Sequence, residues 1–208
     1  MATKAQRVKM HGGNNCPFWA YSNVQITPPG NPSLRNYVNV YVKSYKTHLQ
    51  KVLDLYKKLS FADVVKFAGL MECPVCGSVY PHQYHLTQAV RQQFSTELLN
   101  AQTQLSKAVD FEQLWDIVQG IGKSIKGIGD LTAYDAALRI AYSKKILPQN
   151  TVYCFRGATV RERNRVWHVI PMTEFKTVLT TQLNAYEIED FLCVFHKERE
   201  AGVFTVLK

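Results

Sequence analysis

Apolar residues at three- and four-residue spacing between Leu34 and Tyr56 are the feature that most constrains how this chain can fold. A stripe of this period covers one face of an α-helix, and that face must be buried against other structure. The pattern predicts one long amphipathic helix from Ser33 to about Leu59. The stripe consists of Leu34, Tyr37, Val38, Tyr41, Val42, Tyr45, Leu49, Val52, Leu53 and Tyr56.

Much of the remaining chain continues in the helical period. Ser60 followed by Asp63 is typical of a helix start, because a serine hydroxyl can cap the first turn and an acidic residue suits its positive end. Residues 82–109 predict a third long helix. Asp110 then caps a fourth helix, which begins at Phe111.

The pattern changes after Pro148. The segments TVYCFRGA and VWHVIPM alternate between apolar and polar residues and predict short strands, after which the helical period returns. We therefore expect a fold that is mainly α with a small β element, in the form of a helical bundle. Residues 1–32, dense in Gly, Pro and Asn, are expected to be irregular, and residues 33–208 to form a single domain.

The charge of the chain indicates the kind of partner. A formal net charge of +9 and an isoelectric point near 9.3 favour polyanions, with nucleic acid the first expectation. No segment approaches the roughly 20 apolar residues that a membrane helix needs, and no signal peptide is recognisable. We therefore expect a protein without membrane association that is cytoplasmic or nucleoid-associated.

A glycine-bracketed turn between two apolar helices carries the functional prediction. Gly127 and Gly129 permit backbone conformations that side chains would forbid, and Ile128 between them can pin the turn. The following helix begins at about Asp130, so its unpaired N–H groups and positive dipole end face outward. Such a terminus binds a phosphate oxygen without any side chain. The two helices and their turn span residues 111–141.

This segment resembles the helix-hairpin-helix superfamily, whose hairpin contacts DNA phosphates without reading sequence. The resemblance implies binding to the backbone of DNA, most simply double-stranded DNA. Nine basic and three acidic residues between Gly120 and Arg165 favour the same partner. The residues expected to bind at the hairpin are Gly127, Ile128, Gly129, Thr132, Lys123 and Lys126. Those expected to widen the footprint are Lys144, Lys145, Arg156, Arg161 and Arg163.

The hairpin is also similar to that of helix-hairpin-helix DNA glycosylases, which act on damaged or modified DNA. Members with lyase activity place a nucleophilic lysine two residues after the second glycine, where this chain has Leu131. Asn150 and Thr151 stand where the family uses an Asp-Thr pair, and an amide cannot replace the carboxylate. The resemblance therefore implies the DNA grip without the catalytic residues. A glycosylase, lyase or nuclease for DNA repair, and a protein-interaction or RNA-associated module, remain alternatives.

A second motif, at residues 72–86, predicts a metal site. Cys73 and Cys76 form a CxxC, and His82 and His85 follow in a C-x2-C-x5-H-x2-H pattern. Two thiolates and two imidazoles would complete a tetrahedral structural site for Zn²⁺. The alternative is a buried pair of free thiols followed by exposed histidines.

Three further cysteines remain outside this motif. An odd total of five suggests metal binding or free thiols rather than a disulfide framework in a reducing compartment. Cys16, in the irregular segment, is a candidate only for a reactive thiol. Cys154 and Cys193 have apolar neighbours in sequence and are most simply core residues.

Overall fold

The computed structural model describes most of the chain as two compact units. Unit 1 comprises the described part of Met1–Asn23 together with His48–Leu147, and unit 2 comprises Val24–Thr47 and Pro148–Lys208. The predicted division into an irregular segment 1–32 and a single domain 33–208 stays a prediction, because compact units can unfold as one domain. The described residues are Cys16, Pro17, Ala20, Val24, Gln25, 27–80, 83–162 and 165–208, with the backbone alone for Arg156.

The fold is mainly α with a small β element, which confirms the expected class. Helices α1 to α10 span Leu34–Ser44, Lys46–Lys57, Phe61–Leu70, Gln88–Asn100, Gln102–Lys107, Phe111–Lys123, Asp130–Lys144, Thr177–Thr180, Ala185–Val194 and His196–Glu200. Strands β1 to β4 span Thr151–Tyr153, Val160–Glu162, Arg165–Trp167 and Val169–Pro171, and 3-10 turns occupy Arg156–Ala158 and Met172–Glu174. Of the helices in the described ranges, none has both the length and the apolar character needed to cross a membrane.

The predicted long helix from Ser33 to Leu59 is two helices, α1 and α2. The Ser33 hydroxyl caps α1 by accepting a 3.3 Å hydrogen bond from the backbone N–H of Asn36. The break falls at Tyr45, whose side chain is buried and whose hydroxyl donates to the carbonyl oxygen of Val24. Because the apolar period continues across the break, the spacing of apolar residues does not reveal it.

The predicted helix 82–109 is also shorter and interrupted. Helix α4 begins at Gln88, where the Thr87 hydroxyl accepts from the backbone N–H of Val90 at 3.3 Å. The chain before this cap is a turn, in which the N–H of Leu86 donates to the carbonyl of Gln83. The predicted start was wrong because a threonine cap, not the first polar residue after a proline, sets the N-terminus.

The core of unit 1 lies between four helices. Helix α3 packs against α4 and α7, and α6 packs along α7. The approach of α3 to α4 requires glycine, because a Cβ on Gly69 would lie only 2.5 Å from the Cα of Ser95. Val64, Phe94 and Leu98 are fully buried around this contact. This packing fixes the elements that carry both candidate sites.

Unit 2 is held by an aromatic cluster and two small sheets. The rings of Tyr37 and Tyr41 on α1 meet Phe191 and Phe195 of the α9 region at centroid distances of 5.1 to 5.7 Å. Strands β1 and β4 pair antiparallel, as do β2 and β3, which confirms the small β element. A capping box of Asn184 and Glu187 starts α9.

Candidate functional site

The hairpin of unit 1 is a tight turn between α6 and α7. The N–H of Ile125 donates to the carbonyl of Gly122 at 3.0 Å, and the N–H of Ile128 donates to that of Ile125 at 3.1 Å. Gly127 has a φ of +104°, in the region that side chains disfavour. A Cβ there would have ordinary van der Waals room, so the conformation rather than space demands glycine.

Close packing beneath the turn depends on a glycine that the sequence analysis did not single out. A Cβ on Gly122 would lie 3.0 Å from the Ile128 side chain and 3.3 Å from the Ala133 Cβ. Ile128, expected to pin the turn, is half-buried, whereas Ile125 is only 3% exposed. Both isoleucines therefore anchor the turn. The sequence signal at Gly122 was only a small residue close to the glycine-rich turn, which does not show what that residue packs against.

The tip of the hairpin is exposed to solvent. Lys123, Lys126, Gly127 and Gly129 are all exposed, and a Cβ on Gly129 would meet nothing within 4 Å. Gly129 is the N-cap of α7 and gives no side-chain hydrogen bond to the first turn. The outward N–H groups of that turn therefore stay open to an external acceptor.

Two charged side chains, Lys123 and Asp130, flank the tip and share Gln119 as a hydrogen-bond partner. The Gln119 side-chain amide donates to the Asp130 carboxylate at 3.0 Å, and its carbonyl oxygen accepts from the Lys123 ammonium at 3.0 Å. Gln119 thus holds one positive and one negative side chain beside the turn. The charge of Lys126 comes in addition, so the surface at the tip carries a small positive excess.

Other predicted DNA-binding residues of unit 1 lie away from this surface. Thr132 is 6% exposed, so its hydroxyl is not presented at the tip. The Lys144 ammonium donates to the carbonyl of Ser106 at 2.5 Å and lies 5.6 Å from the centre of the Phe61 ring. Lys145 is exposed but ends α7, a helix of 15 residues and about 22 Å. The structure therefore brings only Lys123 and Lys126 to the glycines.

The predicted arginines belong to unit 2. Arg161, on β2, forms an exposed ion pair with Glu200 at 3.3 Å. The backbone of Arg156 lies in a 3-10 turn, and Arg163 lies outside the described residues. In unit 1, Arg139 adds nothing to the surface charge, because its guanidinium is buried 4.2 Å above the Tyr80 ring. Of the nine basic residues counted along residues 120–165, Arg139 therefore adds no surface charge and Arg161 is paired with an acidic residue.

A cluster of three thiols forms the second candidate site. The Sγ atom of Cys16 lies 3.5 Å from that of Cys73 and 3.7 Å from that of Cys76, and all three lie within 4.8 Å of one another. Cys16 and Cys73 are buried and Cys76 is half-buried. The cluster lies close enough together to bind a metal ion.

The loop that presents two of the thiols is a tight knuckle. The N–H of Cys73 donates to the carbonyl of Ser78, and the N–H of Gly77 donates to that of Cys73. Gly77 has a φ of +68°, and an antiparallel bridge joins Glu72 to Val79 at the base. This closed turn points both CxxC side chains to the same side.

The two CxxC thiols differ in acidity. Burial raises the pKa of Cys73 to about 12. Burial also acts to raise the pKa of Cys76, but hydrogen bonds from Ser78 and from the neighbouring thiols outweigh it and lower that pKa below its usual range. Of these two thiols, Cys76 is therefore the more acidic.

The structure does not gather the predicted ligand set. Cys73 and Cys76 come together as expected, but the third member of the cluster is Cys16 rather than His85, which is exposed. The turn before α4 buries Gln83, and His85 two residues later faces solvent. His82 lies outside the described residues, so its part in the site stays a prediction.

The positions that correspond to glycosylase catalytic residues belong to different units. Leu131 lies in the first turn of α7 in unit 1, and exposed Asn150 precedes β1 in unit 2. The helix-hairpin-helix resemblance rests on residues 111–141 alone. In comparisons with known proteins, no protein-family model, no curated protein and no solved structure matches this chain.

Proposed function

We propose that this protein binds the phosphate backbone of double-stranded DNA through the exposed tip of its hairpin, largely independently of sequence. The observation that carries the proposal is the solvent-exposed N-terminus of α7, with glycine at its cap and no side chain capping its first turn. A phosphate oxygen can reach these N–H groups because no Cβ stands in the way at Gly129.

Several contributions act together at this tip. The N–H groups of Asp130, Leu131 and Thr132 have no carbonyl partner four residues earlier in the helix, and the helix dipole favours an anion there. Thr132 as a whole residue is only 6% exposed, so the N–H groups of Asp130 and Leu131 are the more accessible ones. Lys123 and Lys126 add positive charge at the rim. None of these groups reads a base edge, so the contact carries no sequence preference.

The test substitutes the cap glycine and measures binding of a fluorescently labelled duplex by anisotropy at low salt. Aspartate is a favoured N-cap, so Gly129→Asp keeps α7 folded while placing a carboxylate on the open N–H groups. We expect DNA affinity to fall about tenfold or more, which corresponds to about 1.4 kcal/mol. Gly129→Ser caps the same groups without charge and is expected to have an intermediate effect.

Gln104→Glu, which adds a negative charge on exposed α5, is the control and should leave affinity within about twofold. Unchanged binding by Gly129→Asp would overturn the proposal. Equal affinity for duplex DNA and for RNA would favour the RNA-associated alternative. Abasic sites or nicks after incubation with damaged DNA would favour the enzyme alternative, although Leu131 argues against Schiff-base lyase activity.

We further propose that the three-thiol cluster holds a structural Zn²⁺. Two thiolates bound to one tetrahedral zinc at about 2.3 Å each lie about 3.8 Å apart. The Sγ atom of Cys16 already lies near that spacing from those of Cys73 and Cys76, at 3.5 Å and 3.7 Å. A bound cation would keep all three thiols ionised despite burial. The sequence predicts both His82 and His85 as ligands; because His85 is exposed, we propose His82, six residues after Cys76, as the fourth ligand.

A further inference from the structure

We propose that a groove beside the thiol cluster binds a short apolar segment of a partner protein that is flanked by acidic residues. The groove has a volume of about 440 Å³, within the range of sites that take side chains or small ligands. We call it the Val75 groove. Its apolar walls are formed by Pro17, Leu55, Leu59, Pro74 and Val75.

The walls expose aliphatic surface that the fold of unit 1 does not need. Val75 is 63% exposed although it lies in the tight knuckle between Cys73 and Cys76. A polar residue would serve that turn equally well, since its geometry comes from Gly77. Leu55 and Leu59 continue the apolar surface at half-buried positions along α2 and just after it. Contiguous apolar surface in a concave site is typical of a place where another apolar group docks.

The rim of the groove is positively charged. Lys51 and Lys58 line it about two helical turns apart, roughly 10 Å along the helix. Within the described ranges, neither ammonium group has an ion-pair partner. Asp54 also lines the groove, but its carboxylate accepts hydrogen bonds from the Lys57 ammonium and the Tyr142 hydroxyl, both at 2.9 Å. These bonds lower the pKa of Asp54 and compensate its charge, so Lys51 and Lys58 dominate the rim.

This chemistry favours a peptide over a nucleic acid. The described residues that line the groove include no aromatic ring on which a base could stack. An apolar side chain fills the walls, whereas Asp or Glu residues on either side of it reach Lys51 and Lys58. The occupant is therefore an extended segment with one or two large apolar residues between acidic ones.

The groove is linked to the thiol cluster by the chain itself. Pro17 directly follows Cys16, and Pro74 and Val75 lie between the other two thiols. A metal ion that holds the three sulfur atoms together therefore also holds the two chain segments that contribute Pro17, Pro74 and Val75 to the groove. The metal dependence of peptide binding rests on the zinc proposed above, whereas the groove itself does not depend on DNA binding.

The experiment selects binders for the zinc-loaded full-length protein from a displayed library of random short peptides. Selected sequences should combine bulky apolar residues with flanking Asp or Glu, and their affinities are then measured with synthetic labelled peptides. A Lys51→Glu/Lys58→Glu double variant and, separately, Val75→Ser should each weaken binding about tenfold or more. Lys66→Glu/Lys107→Glu makes the same charge change at exposed sites elsewhere in unit 1 and should leave it within about twofold.

Each further result decides one part of the proposal. The docking site is overturned if the library yields no peptide that depends on Val75, or if the selected peptides lack acidic residues. Self-association that Val75→Ser abolishes would identify a second copy of the chain as the occupant and overturn the partner peptide. A peptide affinity that Cys16→Ser leaves unchanged would overturn the metal dependence. Gly129→Asp should leave peptide binding intact, so failure of DNA binding and failure of the groove are distinguishable.

Discussion

Cys16 is the member of the thiol cluster that the spacing of residues in the sequence does not reveal. The spacing predicts only Cys73 and Cys76. The CxxC was recognisable in sequence because two thiols three residues apart chelate from one turn. Cys16 stands 57 residues before Cys73, and no spacing rule connects residues brought together by folding. The odd cysteine count was the only sequence signal that a thiol outside the CxxC had a role.

The first prediction concerns this cysteine. Cys16→Ser removes one thiolate, so zinc affinity should fall at least about tenfold, in the range of effects that coordination changes cause. Zinc content after dialysis against a competing chelator measures the change. Cobalt-substituted protein should lose part of its thiolate-to-metal charge-transfer absorption.

Cys193→Ser is the matched control, because that half-buried thiol belongs to unit 2 and is not part of the cluster. Identical zinc retention by the Cys16→Ser and Cys193→Ser proteins would remove Cys16 from the ligand set. A His82→Gln variant with a shifted cobalt spectrum would support the predicted fourth ligand.

At the scale of elements, sequence reasoning succeeded wherever a start signal accompanied the apolar period. Ser60 and Asp110 cap α3 and α6 as predicted, with hydrogen bonds of 3.2 Å and 2.9 Å from the backbone N–H groups of Asp63 and Gln113. The predicted long helices exceed the observed ones because the spacing of apolar residues continues unchanged across a one-residue break in the helix. Tyr45 is an instance, since it is buried and keeps its place in the stripe.

The hairpin turn was predictable because its glycines are a direct sequence signal of a turn. The packing below the turn could not be predicted, since the need for Gly122 comes from Ile128 and Ala133 across the turn. The surface around the tip was also unpredictable. Whether Lys144 reaches a DNA strand or the carbonyl of Ser106 depends on which helix end lies next to it.

The prediction at this scale compares two glycines of α6. Gly120 is exposed, and a Cβ there would meet nothing within 4 Å, so Gly120→Ala should raise the free energy of unfolding by about 0.5–1 kcal/mol through helix propensity. Gly122→Val pushes a branched side chain against Ile128 and Ala133 and should lower it by about 1–3 kcal/mol. Urea denaturation measures both. Equal effects at the two positions would show that the turn does not rely on close packing at Gly122.

At the scale of the whole molecule, a linear count of basic residues does not show how much charge one surface carries. The run between Gly120 and Arg165 crosses from unit 1 into unit 2. Within it, Arg139 is buried and Arg161 faces Glu200. Net charge predicted an affinity for polyanions, but only the folded chain decides which cations share a surface. Among the predicted cations of unit 1, Lys123 and Lys126 lie beside the exposed hairpin tip.

If DNA binds to two lysines at the hairpin tip, the salt dependence of its affinity should reflect those two charges. Each phosphate that a lysine neutralises contributes about 0.9 to the slope of log affinity against log salt concentration. If Lys123 and Lys126 supply the positive charge at the tip, Lys123→Gln/Lys126→Gln should reduce the magnitude of that slope by about 2. Lys66→Gln/Lys107→Gln, which removes two exposed charges elsewhere in unit 1, should leave it unchanged. If both double variants lower the slope equally, DNA affinity depends on the net charge of the protein. The proposal that the hairpin is the binding site would then be wrong.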